Sequence, residues 1–205
     1  MQDHLEKSLM DAGVSRETLP KLEGFVTLLD EWRQKMNLIG PREMDQIWDR
    51  HILDSAQLIG LTRPDCRIVD LGSGAGLPGL VLACEAAIRG GEVIMVESTG
   101  KKCAFLQTVI SELRLPAKVV QSRIENAVPE HVDFITARAL APLPRLVSYA
   151  YPWMAKGATA LFFKGERWQE ELTDAADYWT LRHEAIPSRT SDTGVILKIE
   201  EAHRV

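Results

Sequence analysis

The stretch Asp70–Gly79, DLGSGAGLPG, places four glycines in ten residues between a carboxylate and a Pro-Gly pair. The short apolar run CRIV precedes it, and the helix-forming run LVLACEAAI follows it. Glycine permits tight turns and positive φ angles, so the stretch predicts a turn that joins a strand to a helix. Pro78 can occupy the first turn of that helix, where its missing N–H costs little. Such bare backbone at a strand–helix joint indicates an α/β fold with a ligand at the joint.

Short apolar runs alternate with helical ones from Cys66 onward. The predicted strands cover residues 66–72, 92–98, 117–122, 131–139, 158–165, 178–185 and 193–200. The runs are almost continuously apolar and helices separate the first five, so we expect a mostly parallel sheet covered on both faces. Only a loop separates the last two, which predicts an antiparallel hairpin. The fold class is therefore α/β and Rossmann-like, with a mostly parallel seven-stranded sheet that ends in a C-terminal antiparallel hairpin.

The first 60 residues look purely helical. Apolar residues recur every three or four positions over residues 15–36, with Ser15 as a plausible N-cap, and a second helix fits residues 43–60. Gly40 and Pro41 mark the break between them. We therefore expect an N-terminal helical extension over residues 1–60 and a ligand-binding α/β domain over residues 61–205.

Composition limits the class of protein. The 205 residues are 45% hydrophobic and 26% charged, and the net charge of −5 argues against a general polyanion binder, although a local basic patch is compatible with it. No apolar run approaches the roughly 18 residues of a membrane span, and the N-terminus lacks the pattern of a signal peptide, so we expect a cytoplasmic protein. The three widely spaced cysteines predict reduced, buried thiols and no metal site.

The glycine pattern alone fits two ligands. Gly74–Gly79 matches GxGxxG, the dinucleotide fingerprint, and Gly72–Gly76 matches GxGxG, which is associated with S-adenosylmethionine (SAM). Asp70 favours SAM, because a carboxylate repels a pyrophosphate and attracts an ammonium and a sulfonium group. Glu97 ends the second predicted strand and can accept both hydroxyls of a ribose, which suits SAM and NAD alike.

Several segments resemble one known family. The sequence is similar to the RsmG family, also called glucose-inhibited division protein B, in these segments: NLIGPREMDQIWDRHILDS, DLGSGAGLPG, VESTGKKCAFLQ, VVQSRIEN, ARALAPL and FKG. The resemblance implies a class I SAM-dependent methyltransferase that modifies N7 of one guanine in the 530 loop of bacterial 16S rRNA. Its cofactor would be SAM, its partner would be 16S rRNA or the small ribosomal subunit particle, and we expect a monomer.

The resemblance also implies site residues. It places Gly72 and Leu77 against the cofactor, Glu97 at the ribose, and Ile124 with Glu125 beside the adenine. Together with the glycine loop itself, the expected cofactor-binding set is Asp70, Gly72, Gly74, Leu77, Glu97, Ile124, Glu125 and Arg138.

Arg138 is the expected catalytic residue, in a positioning role. It follows the predicted fourth strand, and the first and fourth strands flank the point where strand order reverses, so its side chain should project into the cleft. Guanine N7 carries a lone pair and no proton, so its methylation needs orientation and no general base.

RNA binding would need cations at the same rim. The candidates are Arg50, Lys101, Lys102, Arg123 and Lys164, with His51 and Arg145 as further ones. Lys101 and Lys102 fall in the first turn of a helix, where the helix dipole disfavours positive charge by roughly 0.3–1 kcal/mol, and Lys164 ends the fifth strand. We expect His51 to make a helix-face contact against the glycine-loop region.

Three other functions stay open at this point. The GxGxxG pattern suits an NAD-dependent oxidoreductase, and the same fold suits a non-catalytic nucleotide- or RNA-binding regulatory module. The acidic net charge would suit a methyltransferase that acts on a small molecule.

Overall fold

A seven-stranded sheet forms the centre of the computed structural model, which describes residues 3–205. Its strands are β1 (Arg67–Leu71), β2 (Glu92–Glu97), β3 (Ala117–Gln121), β4 (Phe134–Arg138), β5 (Thr159–Lys164), β6 (Trp179–Pro187) and β7 (Val195–Arg204). The order across the sheet is β3-β2-β1-β4-β5-β7-β6. The strands β1 to β5 pair in parallel, and β7 runs antiparallel to both β5 and β6. The predicted architecture, including the C-terminal hairpin, is therefore confirmed.

The strand order reverses between β1 and β4. The chain moves outward from β1 to β2 and β3, and then returns to the other side of β1 with β4 and β5. The connections that leave β1 and β4 therefore diverge, which opens a crevice at the carboxyl ends of the strands. The glycine stretch follows β1 directly, so it lies at this crevice.

Helices cover both faces of the sheet. The helices are α5 (Gly79–Arg89) and α6 (Gly100–Leu113) on one face, and α7 (Leu143–Met154) and α8 (Trp168–Ala176) on the other. Phe105 and Leu106 of α6 belong to one buried cluster, and Leu146 and Trp153 of α7 belong to the second. Side chains alternate between the faces of a strand, so β1 contributes Ile68 to the first cluster and Val69 to the second.

Residues 3–60 pack onto the face that carries α5 and α6. Their regular helices are α1 (Asp3–Asp11), α2 (Leu19–Arg33), α3 (Pro41–Asp45) and α4 (Leu53–Ala56). Leu9 and Leu22 are fully buried in the same cluster as Leu80 and Leu106. The extension therefore shares its core with the α/β domain.

The predicted start of the helix over residues 15–36 was wrong by one turn. The helix α2 begins at Leu19, and a 3₁₀ turn precedes it at Arg16–Thr18. The Ser15 hydroxyl lies 2.8 Å from Oγ1 of Thr18 and donates to Oε2 of Glu85 at 3.2 Å, so it does not cap the helix backbone. Glu85 on α5 also accepts from the Ser15 N–H at 3.0 Å, and this tie to the neighbouring helix takes the place of a cap.

The predicted continuous helix over residues 43–60 was also wrong. A wide π-helical turn, Ile47–Ile52, separates α3 from α4. Ile47 and Ile52 are both buried although they lie five residues apart. An i→i+5 hydrogen-bond pattern brings such a pair to one face, which a 3.6-residue period does not. Ser55 is still one turn from His51, because its hydroxyl donates to the His51 carbonyl at 2.7 Å.

The structure also bears on the cysteines and on the possibility of membrane-spanning helices. Cys66, Cys84 and Cys103 are all buried free thiols, as predicted. Within residues 3–205, none of the helices is both long enough and apolar enough to cross a bilayer.

Candidate active site

A cleft with a volume of about 520 Å³ opens at the carboxyl ends of β1, β2 and β4. Its size suits a nucleoside-sized ligand. The glycine loop, the end of β2, the turn after β3 and the loop after β4 form its walls. Its principal lining residues are Gly72, Gly74, Glu97, Ser98, Thr99, Lys102, Ser122, Arg123, Ile124, Glu125, Leu140, Arg145 and Tyr149.

The glycines of the loop adopt the left-handed conformation that side chains resist. The φ angles are +67° at Gly72, +54° at Gly74 and +84° at Gly76. A Cβ atom on Gly72 would lie 2.6 Å from Leu140, whereas one on Gly74 would meet nothing closer than 3.7 Å. Gly74 therefore leaves open space at the cleft wall. Pro78 is the residue before α5 and not part of its first turn, because the helix begins at Gly79.

The backbone N–H groups at the start of this loop are bonded within the protein. The N–H groups of Gly72 and Ser73 donate to the Val96 carbonyl at 2.9 and 3.2 Å. The Gly74 N–H donates to Oε2 of Glu97 at 3.0 Å. Dinucleotide loops bind a pyrophosphate through free N–H groups, and these three groups are not available for that purpose.

Glu97 closes the cleft at the end of β2. Its Oε1 atom accepts from the Thr99 N–H at 2.8 Å, and its Oε2 atom accepts from Gly74. Burial opposes ionisation of this carboxyl, but these N–H groups prevail and lower its pKa below the ordinary value. Each oxygen keeps one lone pair, so the ionised Glu97 can still accept a pair of ribose hydroxyls.

The structure places Asp70, one of the predicted cofactor-binding residues, beneath the loop and not on the cleft wall. Only 1% of the residue is exposed, and Oδ1 accepts from the Thr136 hydroxyl at 2.7 Å. Oδ2 has no hydrogen-bond partner within residues 3–205 and lies 2.7 Å from where a Cβ on Gly79 would stand. Burial raises the pKa of Asp70 to about 6. The carboxylate therefore faces the start of α5, where a phosphate would otherwise bind.

Leu77 also lies away from the cleft. It is 6% exposed and packs in the buried cluster on the α5 and α6 face. The chain turns at Gly76, and the apolar side chain that follows is buried against that face. The contact between Leu77 and a cofactor therefore stays a prediction.

The turn after β3 supplies the opposite wall. Ile124 and Glu125 begin a 3₁₀ turn, and both line the cleft, the first half-buried and the second exposed. Arg145 of α7 reaches Oε1 of Glu125 at 4.0 Å, and its guanidinium lies 5.2 Å from the ring centre of Tyr149. Sequence reasoning missed Tyr149, although it lies one helical turn after Arg145 and therefore on the same face.

Arg138 does not line the cleft, which corrects the prediction that it projects into it. Along β4 the side chains alternate, so Arg138 shares the face of Thr136 and Asp70. Its Nη1 atom lies 2.9 Å from Nδ1 of His51 and 3.6 Å from Oδ2 of Asp54. His51 therefore contacts the end of β4, where a contact with the glycine loop was expected.

The predicted RNA-binding cations divide into three groups, of which buried Lys164 is the third. Lys102 and Arg123 line the cleft. Lys101 and Arg50 are exposed outside it, the first in the opening turn of α6 and the second on the wide turn of the extension.

Lys164 is not available as a free cation, contrary to the prediction. Its side chain is 7% exposed, and Nζ lies 2.5 Å from Oε2 of Glu171. The same Nζ donates to the Ala141 carbonyl at 3.0 Å. The strand end turns this lysine inward, toward α8, and the ion pair neutralises it there.

Comparison with known proteins places this geometry in one family. A family model described as "rRNA small subunit methyltransferase G" (GidB) matches residues 18–193. The chain is 54% identical to the Ribosomal RNA small subunit methyltransferase G of Hyphomonas neptunium, covering 93% of this chain and 91% of that one. It is 44% identical to the protein of the same name from Paramagnetospirillum magneticum, covering 97% and 96% of the two chains.

Solved structures agree on the fold. The chain is similar to a SAM dependent methyltransferase from Aquifex aeolicus, with a TM-score of 0.59, 14% identity and coverage of 86% of this chain and 98% of that one. It is also similar to magnesium protoporphyrin IX methyltransferase from Synechocystis PCC 6803 with bound SAM, with a TM-score of 0.57, 13% identity and coverage of 92% and 99%. The predicted class I methyltransferase fold and the resemblance drawn from the sequence motifs are both confirmed, and this chain belongs to the rRNA small subunit methyltransferase G family.

Proposed function

We propose that this chain transfers a methyl group from SAM to N7 of a guanine in the 530 loop of bacterial 16S rRNA. Family membership supports methyl transfer to small-subunit rRNA. The observation that carries the cofactor assignment is the hydrogen bond from the Gly74 N–H to Glu97. It occupies an N–H group that could otherwise bind a phosphate, and it holds the Glu97 carboxylate where it can accept from a ribose. The guanine position rests on the motif resemblance.

The cleft residues fit SAM by chemistry. Glu97 would hold the ribose hydroxyls, and the apolar side chain of Ile124 would pack against the adenine. The open backbone at Gly74 would accept the methionine portion, above the buried negative charge of Asp70. When bound, SAM supplies an electrophilic methyl group on a positively charged sulfur.

The protein's task in this reaction is orientation. A guanine N7 presents a lone pair without a proton, so no side chain has to remove one, and the rate would depend on how the two ligands are held. Lys102, Arg123 and Arg145 lie on or around the cleft and would contact RNA phosphates there. Arg138 would act as a positioning residue, because it joins the end of β4 to His51 and Asp54 of the extension.

The other functions have less support. An NAD-dependent oxidoreductase would need free N–H groups in the glycine loop, and those of Gly72, Ser73 and Gly74 are occupied. A non-catalytic module and a small-molecule methyltransferase both disagree with the family to which the chain belongs. We also propose that the protein acts as a monomer in the cytoplasm, on 16S rRNA or on the small ribosomal subunit particle.

The direct test is to map N7-methylguanine in 16S rRNA from cells with and without this protein. We expect one N7-methylguanine in the 530 loop to disappear without it and to return when purified protein and SAM are added. Adding the protein to free 16S rRNA and to assembled small subunits in parallel identifies the substrate. An unchanged map would contradict the rRNA assignment, and calorimetric binding of NAD without binding of SAM would contradict the cofactor assignment.

A further inference from the structure

The loop Ala139–Pro142, which joins β4 to α7, forms one wall of the cleft. It begins with Ala139 at a φ angle of +52°, a left-handed conformation that a non-glycine residue adopts only at a cost. Leu140 lies so close to Gly72 that a Cβ there would be 2.6 Å from its Cδ1 atom. The position of this loop therefore fixes the width of the cleft at the glycine turn.

The outer side of this loop is poorly supported by packing. A second cavity of about 340 Å³ lies there, and the loop separates it from the cofactor cleft. Its other walls come from the end of β5 and the start of α8, including Phe163, Arg167 and Glu171. Leu140 packs against the second buried cluster, but open space flanks the rest of the loop on both sides, so polar bonds are needed to hold its strained backbone.

Lys164 and Glu171 supply those bonds. Nζ of Lys164 donates to the Ala141 carbonyl at 3.0 Å, and Oε2 of Glu171 accepts from the Leu143 N–H at 2.6 Å. The two side chains pair with each other at 2.5 Å, with 7% and 23% of their side chains exposed. The pair thus binds the chain at the end of the loop, through the Ala141 carbonyl and the Leu143 N–H.

We propose that Lys164 and Glu171 form a clamp that holds the Ala139–Pro142 loop in the position needed for SAM binding. Both are positioning residues, because they act through the loop and do not line the cofactor cleft. The inference rests on the proposed function for its ligand. It assigns to α8, which carries Glu171, a role in the cofactor site on the opposite side of the loop.

A phosphate contact by Lys164 would leave a different signature. Removal of a lysine that contacts phosphate reduces the slope of log affinity against log salt for RNA by about 1, and removal of the neighbouring Glu171 charge would strengthen RNA binding. A clamp predicts that both removals weaken SAM binding alike and leave the salt slope unchanged. It also predicts that the two losses do not add, because each breaks the same unit.

The test compares Lys164→Met, Glu171→Gln and the double variant with the wild-type protein. We expect each single variant to weaken SAM binding about 5- to 30-fold in calorimetry, and the double variant to be no weaker than about the worse single. The matched control is Lys118→Met, which breaks the 2.8 Å ion pair between Lys118 of β3 and Glu130 and should leave SAM binding unchanged.

A second measurement needs no cofactor. Amide hydrogen exchange at Leu143, whose N–H donates to Glu171, should be faster in Lys164→Met and Glu171→Gln than in Lys118→Met, at a temperature where circular dichroism shows all three folded. Unchanged SAM affinity and unchanged exchange in both clamp variants would overturn the inference, as would a reduced RNA salt slope in Lys164→Met with unchanged SAM affinity. Failure of the wild-type protein itself to bind SAM would instead refute the proposed function on which the inference rests.

Discussion

Nη1 of Arg138 lies 2.9 Å from Nδ1 of His51, so the last residue of β4 is tied to the wide turn of the N-terminal extension. Arginine can only donate, so this bond requires His51 to accept through a neutral ring. Burial lowers the pKa of His51, and the positive charge of Arg138 lowers it further. The contact therefore weakens when the ring takes up a proton.

Acidification should selectively destabilise the wild-type protein through His51. Because the folded pKa lies below the ordinary value of 6.5, the unfolded chain takes up the proton first, and the stability from neutral His51 is lost as the pH falls below about 6.5. His51→Asn keeps an acceptor near the Nδ1 position without titrating, so its loss of unfolding free energy between pH 7.5 and 5.5 should be smaller than that of the wild type. His51→Ala should cost about 1–3 kcal/mol at pH 7.5. Urea unfolding at both pH values measures this, and equal pH dependence in wild type and His51→Asn would contradict it.

Asp70 should contribute a pH dependence of the opposite sign. Its pKa is raised from 3.8 to about 6, so the unfolded chain loses its proton first, and the wild-type protein loses stability as the pH rises toward 6. Asp70→Asn keeps the acceptor for Thr136 but cannot ionise. The difference in unfolding free energy, Asp70→Asn minus wild type, should therefore increase by up to about 3 kcal/mol from pH 4 to pH 6. Above pH 7 this difference should be constant. Denaturant unfolding across this range is the measurement, and a pH-independent difference would contradict the assignment.

Much of the fold was predictable because its signals are local. Buried parallel strands are nearly continuous apolar runs, and the glycine stretch after β1 is constrained by positive φ angles that few other residues tolerate. The wide turn at Ile47–Ile52 was not predictable from a 3.6-residue period, because its two buried isoleucines follow a different spacing. The start of α2 was missed because Ser15 bonds to Glu85, 70 residues away.

The sequence predicted which strand ends form the site, but it did not predict the direction in which each side chain points. Glu97, Ile124, Lys102 and Arg123 reach the cleft because they stand at or just after strand ends that meet there. Arg138 stands at such an end as well, but its guanidinium group turns to His51 and Asp54 of the extension. These partners lie more than 80 residues earlier in the chain, so no local sequence signal reveals the direction of the side chain.

A matched pair of carboxylates at the two ends of β2 tests the cofactor site. Glu97→Gln replaces one acceptor oxygen with an NH₂ group that must face a backbone N–H. This should disturb the glycine loop and also remove an acceptor for the ribose. SAM affinity should therefore fall at least about tenfold, or 1.4 kcal/mol. Glu92→Gln alters the opposite end of the same strand, where the side chain pairs with Arg67, and should leave SAM affinity within twofold. Calorimetric titration of both variants gives the answer. Similar affinities for the two variants would show that Glu97 does not contact the ligand.

Alanine substitutions at two glycines with positive φ distinguish the effect of backbone strain from that of ligand contact. Gly74 has φ +54° at the cleft wall, and Gly157 has φ +95° with no atom within 4 Å of the position that a Cβ would take. An alanine at either position should cost about 1–2 kcal/mol of unfolding free energy from the left-handed conformation alone. Only Gly74→Ala should also weaken SAM binding, because its methyl group would occupy the cleft. Thermal unfolding and calorimetry check both halves, and equal SAM affinity in the two variants would mean that the ligand does not approach Gly74.

Removing one positive charge from either end of α6 tests which surface binds RNA. Lys102 lies in the first turn beside the cleft, and Arg114 follows the last turn, about 18 Å away along the helix axis. Lys102→Ala should weaken binding of 16S rRNA and reduce the slope of log affinity against log salt by about 1, because one phosphate contact is lost. Arg114 has φ +51°, so Arg114→Gly removes a charge while relieving backbone strain, and it should leave the slope unchanged and raise the unfolding free energy by about 1 kcal/mol. Filter binding at several salt concentrations measures both slopes, and equal slopes for the two variants would place the RNA on another surface.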